Sequence, residues 1–324
     1  MKKLQVLLLF IGCFLLYWVV KKTGVQQLMD SLTTLGWRII FPILIGLFIC
    51  FLTTGAWWQY LKRFEHQLKF FELLSIRLVG EATNTLTPVN FAGGDPIRIW
   101  MLSRHISAAH GGASVVIDRT VQILSTIILI TVGTAVAILH LNLPTSVDMI
   151  LAGTVLLFLF LTSLLLRQQS KGFFQSLANW TTRWPKIHKV FEQLKETDDL
   201  MVDFYQKDRK IFAGCLVLHT AARFAGMLEV YLLAYYLNIP MDWWQALFFN
   251  AVFPVVNFLG TIVPGAIGVM EGVVGALFYS MHWNPADGVA LQIARRLRTG
   301  FWIGIGLLIL FFKRHNKPIP TPAS

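Results

Sequence analysis

Thr85-Leu86-Thr87-Pro88-Val89-Asn90-Phe91-Ala92-Gly93-Gly94-Asp95-Pro96-Ile97-Arg98 interrupts an apolar run with two prolines and a glycine pair. Proline removes a backbone donor and glycine tolerates a tight turn, so a helix entering this stretch has to break. Asp95 followed by Pro96 reads as the start of a new helix, with a carboxylate at the cap and a ring-fixed φ at the first helical position. Capping alone accounts for Asp95. A second reading adds that a helix N-terminus with Arg98 one turn inside attracts an anion such as phosphate.

Shifting the chain by 176 residues brings a second such stretch into register. It reads Gly260-Thr261-Ile262-Val263-Pro264-Gly265-Ala266-Ile267-Gly268-Val269-Met270-Glu271-Gly272. Pro88 meets Pro264, Thr85 meets Thr261, Asp95 meets Glu271, Gly112 meets Gly288 and Arg119 meets Arg295. Glu271 has no evident cap partner and lies in an apolar run. An ionisable group there is costly and calls for a cavity or a counter-charge, for which Arg295 or Arg296 is the expected source.

Outward from these turns the chain reads as membrane protein. Of its 324 residues 55% are hydrophobic and 14% charged, and mean hydropathy is +0.61. A soluble domain of that length needs more polar surface. Runs long enough for a bilayer core of about 30 Å are Leu4–Val20, Ile39–Tyr60, Ala113–Leu139, Ser146–Leu166, Ile211–Leu237 and Val289–Phe312. Lys21-Lys22 closes the first without a small-residue cleavage site, so it is expected to be a retained span. The regions near 70–104 and 245–281 are apolar but broken. The expected fold class is an all-α integral membrane protein of about six full spans plus two Pro/Gly-broken re-entrant hairpins arranged as an inverted repeat.

Lysine and arginine set the expected orientation. They crowd the loop after the second span, segment 167–210 and the C-terminal tail, while 140–145, 238–244 and 282–288 hold none. Both termini and 167–210 are therefore expected in the cytoplasm; Lys21, Lys22 and Arg38 fall outside on that reading. The first repeat unit covers about 38–140 and the second about 211–312, in opposite orientation. Segment 167–210 mixes Phe173, Phe174, Trp180 and Trp184 with both charge signs, as interfacial helices do. The net charge of +11 thus reflects topology rather than nucleic-acid binding.

Candidate substrate-binding residues follow from the two turns and the charges beyond them: Asn84, Pro88, Gly93, Gly94, Asp95, Arg98, Asp118, Arg119, Pro264, Gly268, Glu271, Arg295 and Arg296. Guanidinium groups match phosphate geometry, and lysine is nearly absent from these positions. Snorkelling to the headgroup layer competes for Arg298, and an internal ion pair with an arginine competes for Asp118. An internal ion pair is likewise the default for His219, Arg223 and Glu229. Glu81, its repeat mate Asn257, and Asn84 put polar groups on the inner arms. No metal-ligand spacing, P-loop, Rossmann fingerprint or nucleophile elbow occurs, so neither a catalytic residue nor a cofactor is expected.

Asn84-x-x-Thr87-Pro88, Gly93-Gly94-Asp95-x-x-Arg98, Asp118-Arg119 and Pro264-Gly265-x-x-Gly268-x-x-Glu271-Gly272 resemble the flippase-like membrane domain of lysylphosphatidylglycerol synthases. The likeness runs over roughly residues 40–310. It implies movement of an anionic phospholipid or lipid-linked headgroup across a bacterial or archaeal cytoplasmic membrane, and no enzymatic activity of the domain itself. Bifunctional relatives add a soluble aminoacyl-transferase domain. The chain ends at Ser324 without room for one, so lipid aminoacylation is not expected. The expected partners are membrane lipids, with a lipid-modifying enzyme or a second copy of the chain as further candidates. A small-solute or ion transporter, or a non-transporting partner of such an enzyme, are the rival readings.

Overall fold

The computed structural model describes residues 25–63, 68–87, 93–141, 145–169, 194–260, 263, 266 and 268–315. All regular structure among them is helical, with no strand. Val25–Leu35 (α1) leads through a 3-10 turn, Gly36–Ile39, into Ile40–Lys62 (α2). Phe70–Leu86 (α3), Gly94–Leu102 (α4), Ala108–His140 (α5) and Thr145–Gln169 (α6) follow. Then come Lys195–Lys207 (α7), Arg209–Tyr236 (α8), Trp243–Leu259 (α9), Val269–Ser280 (α10) and Pro285–His315 (α11).

Four stretches are long and apolar enough to cross a bilayer: Thr33–Lys62, Ala108–His140, Met149–Gln169 and Arg209–Tyr236. Their apolar side chains face outward as freely as inward; on α6, Met149, Ile150, Leu156, Leu157 and Phe160 are all exposed. Hydroxyls on these helices return to the backbone, as lipid demands of polar groups. Thr53 donates to Ile49 O at 2.9 Å, Thr126 to Gln122 O at 2.8 Å and Thr154 to Ile150 O at 2.8 Å. The chain is a multi-pass membrane protein. The expected span Leu4–Val20 lies outside the described residues. α11, the last expected span, has ample length with 31 residues, but Arg295, Arg296 and Arg298 interrupt its apolar run.

The helix order α2, α3, break, α4, α5 recurs as α8, α9, break, α10, α11. Adding the 176-residue offset to α3, α4 and α5 gives 246–262, 270–278 and 284–316, within three residues of α9, α10 and α11. The described residues group into two compact units, one within 1–43, 71–98 and 256–324, the other within 44–70 and 99–255.

In the second unit α5 is the central helix, flanked by α6, α7 and α8. Gly133 lets α9 approach it: a Cβ there would stand 2.3 Å from that of Ala251. Leu129, Leu247 and Ala251 form the adjoining core with Val136, Phe224 and Met227. α7 is held to the C-terminal end of α2 by Arg63, which pairs with Asp203 and, at 2.5 Å, with Asp208. Tyr60 meets the Phe204 ring edge-on. Hydrogen bonds from Lys207 and then Arg63 hold the Asp203 carboxyl below its ordinary range. The expected interfacial aromatics Phe173, Phe174, Trp180 and Trp184 lie outside the described residues.

In the first unit α10 and α11 form an antiparallel pair, with Gly275 against Val289 and Gly288 against the Phe278 ring. α3 also lies antiparallel to α11. Lys313 stands 4.0 Å from Glu72, and a Cβ on Gly306 would come 2.5 Å from the Leu78 carbonyl oxygen. α1 packs on α11 as well.

Candidate functional site at the helix breaks

At the first break α4 folds back along α3, backbone against backbone. The Gly94 N–H donates to Asn84 Oδ1 at 2.7 Å, and a Cβ on Gly94 would stand 2.1 Å from the Gly80 carbonyl oxygen. Only glycine fits there, which accounts for half of the Gly93-Gly94 pair. The other half faces Thr87, whose side chain a Cβ on Gly93 would meet at 2.3 Å. Arg98 is fully buried and donates from Nη2 to Glu81 Oε1 at 2.5 Å, with Asp95 Oδ1 3.5 Å from its Nη1. Glu81, 43% exposed, is the accessible member of that pair.

This geometry corrects the cap expected at Asp95. The helix starts one residue earlier, at Gly94, and its first N–H is satisfied from across the turn by Asn84. Asp95 instead lies in the first turn beside Arg98. Asn84 is buried, with its carbonyl engaged by backbone. Pro88 falls outside the described residues.

The second break leads into α10 through Ala266 at φ +48° and Gly268 at φ +78°. Glu271 Oε2 accepts the Gly268 N–H at 2.8 Å, so Glu271 does cap its own helix, contrary to expectation. The usual sequence signature of that arrangement has Ser or Thr three residues earlier; here glycine stands in that place. The Glu271 side chain is fully buried, and its counter-charge is Arg296, not Arg295. Arg296 binds Oε1 through Nε, reaches Oε2 from Nη2 at 3.1 Å and donates to Ala266 O at 3.0 Å. Its side chain is 29% exposed. Arg295 is half-buried beside it on α11, and Arg298 Nη2 lies 3.4 Å from Thr299 Oγ1. Pro264 falls outside the described residues.

α11 provides a common ruler for both breaks. Its C-terminal end lies beside the start of α3 at Glu72, and Gly306 lies beside Leu78 and Ala82. Continuing that antiparallel register brings Leu86, the last residue of α3, to the level of Gly300. From the opposite end, α10 descends along α11 until Glu271 and Ala266 reach Arg296. At a rise of 1.5 Å per residue, the two breaks fall within roughly 6 Å of one level, near the middle of α11.

The other candidates lie in the second unit. Asp118 pairs with His219 across 3.0 Å, both buried. Ala56, Trp57, Tyr60, Val121 and Cys215 surround the pair. Its members are 101 residues apart, and no local spacing signals the contact. Arg119 donates to Gln122 Oε1 at 2.6 Å. The Arg223 carbonyl accepts from Asn250 at 2.9 Å.

No curated protein and no solved structure matches the chain. A family model does: that of the lysylphosphatidylglycerol synthase TM region, over residues 5–307. The match takes in both breaks, the two acid–arginine pairs and the buried Asp118–His219 couple, and ties the membrane domain to lipid handling. The chain belongs to the lysylphosphatidylglycerol synthase transmembrane-region family.

Proposed function

We infer that the protein is a non-enzymatic translocator of an anionic phospholipid or lipid-linked headgroup. The observation that carries the reading is the meeting of two broken helices at one level of α11, reached from opposite ends, each with its own acid–arginine pair. Half-helices entering from opposite faces and ending near the midplane are how inverted-repeat transporters build a polar site in lipid. The α3–α4 turn returning on itself, and α10 extending only about 18 Å beside a far longer α11, support re-entrant hairpins rather than full crossings. The matching helix boundaries at an offset of 176 support the repeat of about 38–140 and 211–312.

Within that site Arg296 is the phosphate-facing group. Its guanidinium is partly exposed, while Glu271, fully buried and fixed by the Gly268 N–H, holds it in place. Arg295 stands next to it to share the charge of a phosphodiester. Arg98 has a positioning role, being fully buried and locked between Glu81 and Asp95 across the first turn. The basic ends of the helices support cytoplasmic termini in a bacterial or archaeal inner membrane.

Reconstituted vesicles carrying a fluorescent anionic phospholipid test the reading by reduction of the outward-facing label. The wild-type protein exposes the inner-leaflet label, and Arg295→Gln with Arg296→Gln slows this at least about tenfold, the effect of losing roughly 1.4 kcal/mol of phosphate binding. Equal rates in correctly folded wild-type and variant vesicles would refute it.

A further inference from the structure

In the second unit, α6, α7 and α8 border an open cavity of about 390 Å³ lined by Leu166, Arg167, Tyr205, Arg209 and Phe212. The volume is that of a small-molecule pocket. Its lining is apolar at Leu166 and Phe212 and cationic at Arg167 and Arg209. Tyr205 contributes its ring: its hydroxyl is already donated to Gln169 Oε1 at 2.8 Å, and its ring meets Phe212 edge-on. The cavity lies where two spanning stretches finish, since Arg167 is in the last turn of Met149–Gln169 and Arg209 opens Arg209–Tyr236. Both arginines are exposed.

Arg167 has a structural reason for its place, because a cation favours a helix C-terminus. Arg209 has the opposite problem: at the first residue of α8 it faces the positive end of the helix dipole. An anion seated between the two guanidiniums offsets that repulsion. A soluble anion has no use for the Leu166–Phe212 wall, whereas a lipid brings a phosphodiester and an acyl chain on one molecule.

We propose that this cavity is a binding site for one resident anionic phospholipid of the cytoplasmic leaflet, its phosphodiester between Arg167 and Arg209 and its acyl chain along Leu166 and Phe212. The site shares no residue with the helix breaks and does not depend on translocation. Such a lipid would knit α6 to α8 and α7, the three helices that border the cavity.

The full-length protein in delipidated detergent micelles tests this by thermal unfolding, with phosphatidylglycerol, phosphatidylcholine or inorganic phosphate added in turn. Phosphatidylglycerol is expected to raise the midpoint of the wild-type protein by several degrees, and the other two to leave it in place. Arg167→Gln with Arg209→Gln, read against its own lipid-free midpoint, needs about tenfold more phosphatidylglycerol for half its effect. Native mass spectrometry should show one retained anionic lipid fewer on that variant. An equal response of wild type and variant to phosphatidylglycerol overturns the proposal. So does a response to phosphate alone, which would make the site a simple anion site. A wild type indifferent to every lipid also overturns it. Lipid scrambling by the double variant is read separately, so failure of the translocator reading leaves these outcomes intact.

Discussion

Glu271→Gln, Arg296→Gln and the double variant together measure whether the second break is held by its ion pair. Glu271 accepts one backbone N–H and two guanidinium contacts while fully buried. Hydrogen bonds to charged groups contribute about 1.5–3 kcal/mol, and stripping one partner from a buried pair costs about 3–5 kcal/mol. Arg296 is partly exposed, which moves the expectation to the lower end of both ranges. Arg296→Gln, leaving a buried carboxylate with only its cap, should therefore cost about 3 kcal/mol. Glu271→Gln, which retains an acceptor for the Gly268 N–H, should cost about 2 kcal/mol. If the two act through one contact the double variant loses about 3 kcal/mol rather than 5, a coupling of about 2 kcal/mol. Steric trapping in bicelles gives unfolding free energies for all four proteins. A coupling below about 0.5 kcal/mol, the usual scatter for independent sites, would refute the pairing and with it the role given to Glu271.

Gly94→Ala forces a methyl into a backbone carbonyl at 2.1 Å, about 1 Å too close, and should cost about 1–3 kcal/mol of stability by the same assay. Gly300→Ala, with nothing within 4 Å, should be neutral or stabilising by up to about 1 kcal/mol. Asp203 carries a lowered carboxyl, so its contribution to docking α7 is complete above the ordinary carboxylate range of about 4 and disappears as pH falls through its own lower value. Protection of the α7 amides relative to their intrinsic exchange rates should therefore fall on acidification below about pH 4 in the wild type, and Asp203→Asn should show the lower protection already at neutral pH.

Much of the architecture was legible because lipid imposes long apolar runs and because proline and glycine mark breaks wherever they fall. At the offset of 176, α9, α10 and α11 start and end within three residues of α3, α4 and α5. Glu271 was recognisable as needing a counter-charge, since an acid in an apolar run has few alternatives. Its capping role was hidden, because glycine at position 268 supplies backbone only. The Arg98–Glu81 pair was hidden for another reason. Its members stand 17 residues apart on either side of a turn, and only the folded hairpin brings them together. Asp118 with His219 lies further still from anything a local pattern can reveal, as the contact depends on how α5 meets α8. The Asp95 cap does not form because the helix begins one residue earlier, at Gly94, whose N–H is taken across the turn by Asn84.

Gly306 touches the Leu78 carbonyl with no side chain between them. Surfaces that interlock through side chains must change rotamers before one can turn on the other, whereas a bare Cα resting on a carbonyl has none to change and is held by weak C–H···O attraction. Any tilt of α11 against α3 would turn about that point. The lever on one side ends at Lys313 and Glu72, and on the other at Arg296, so a small tilt at the Lys313 end would displace the guanidinium at the second break.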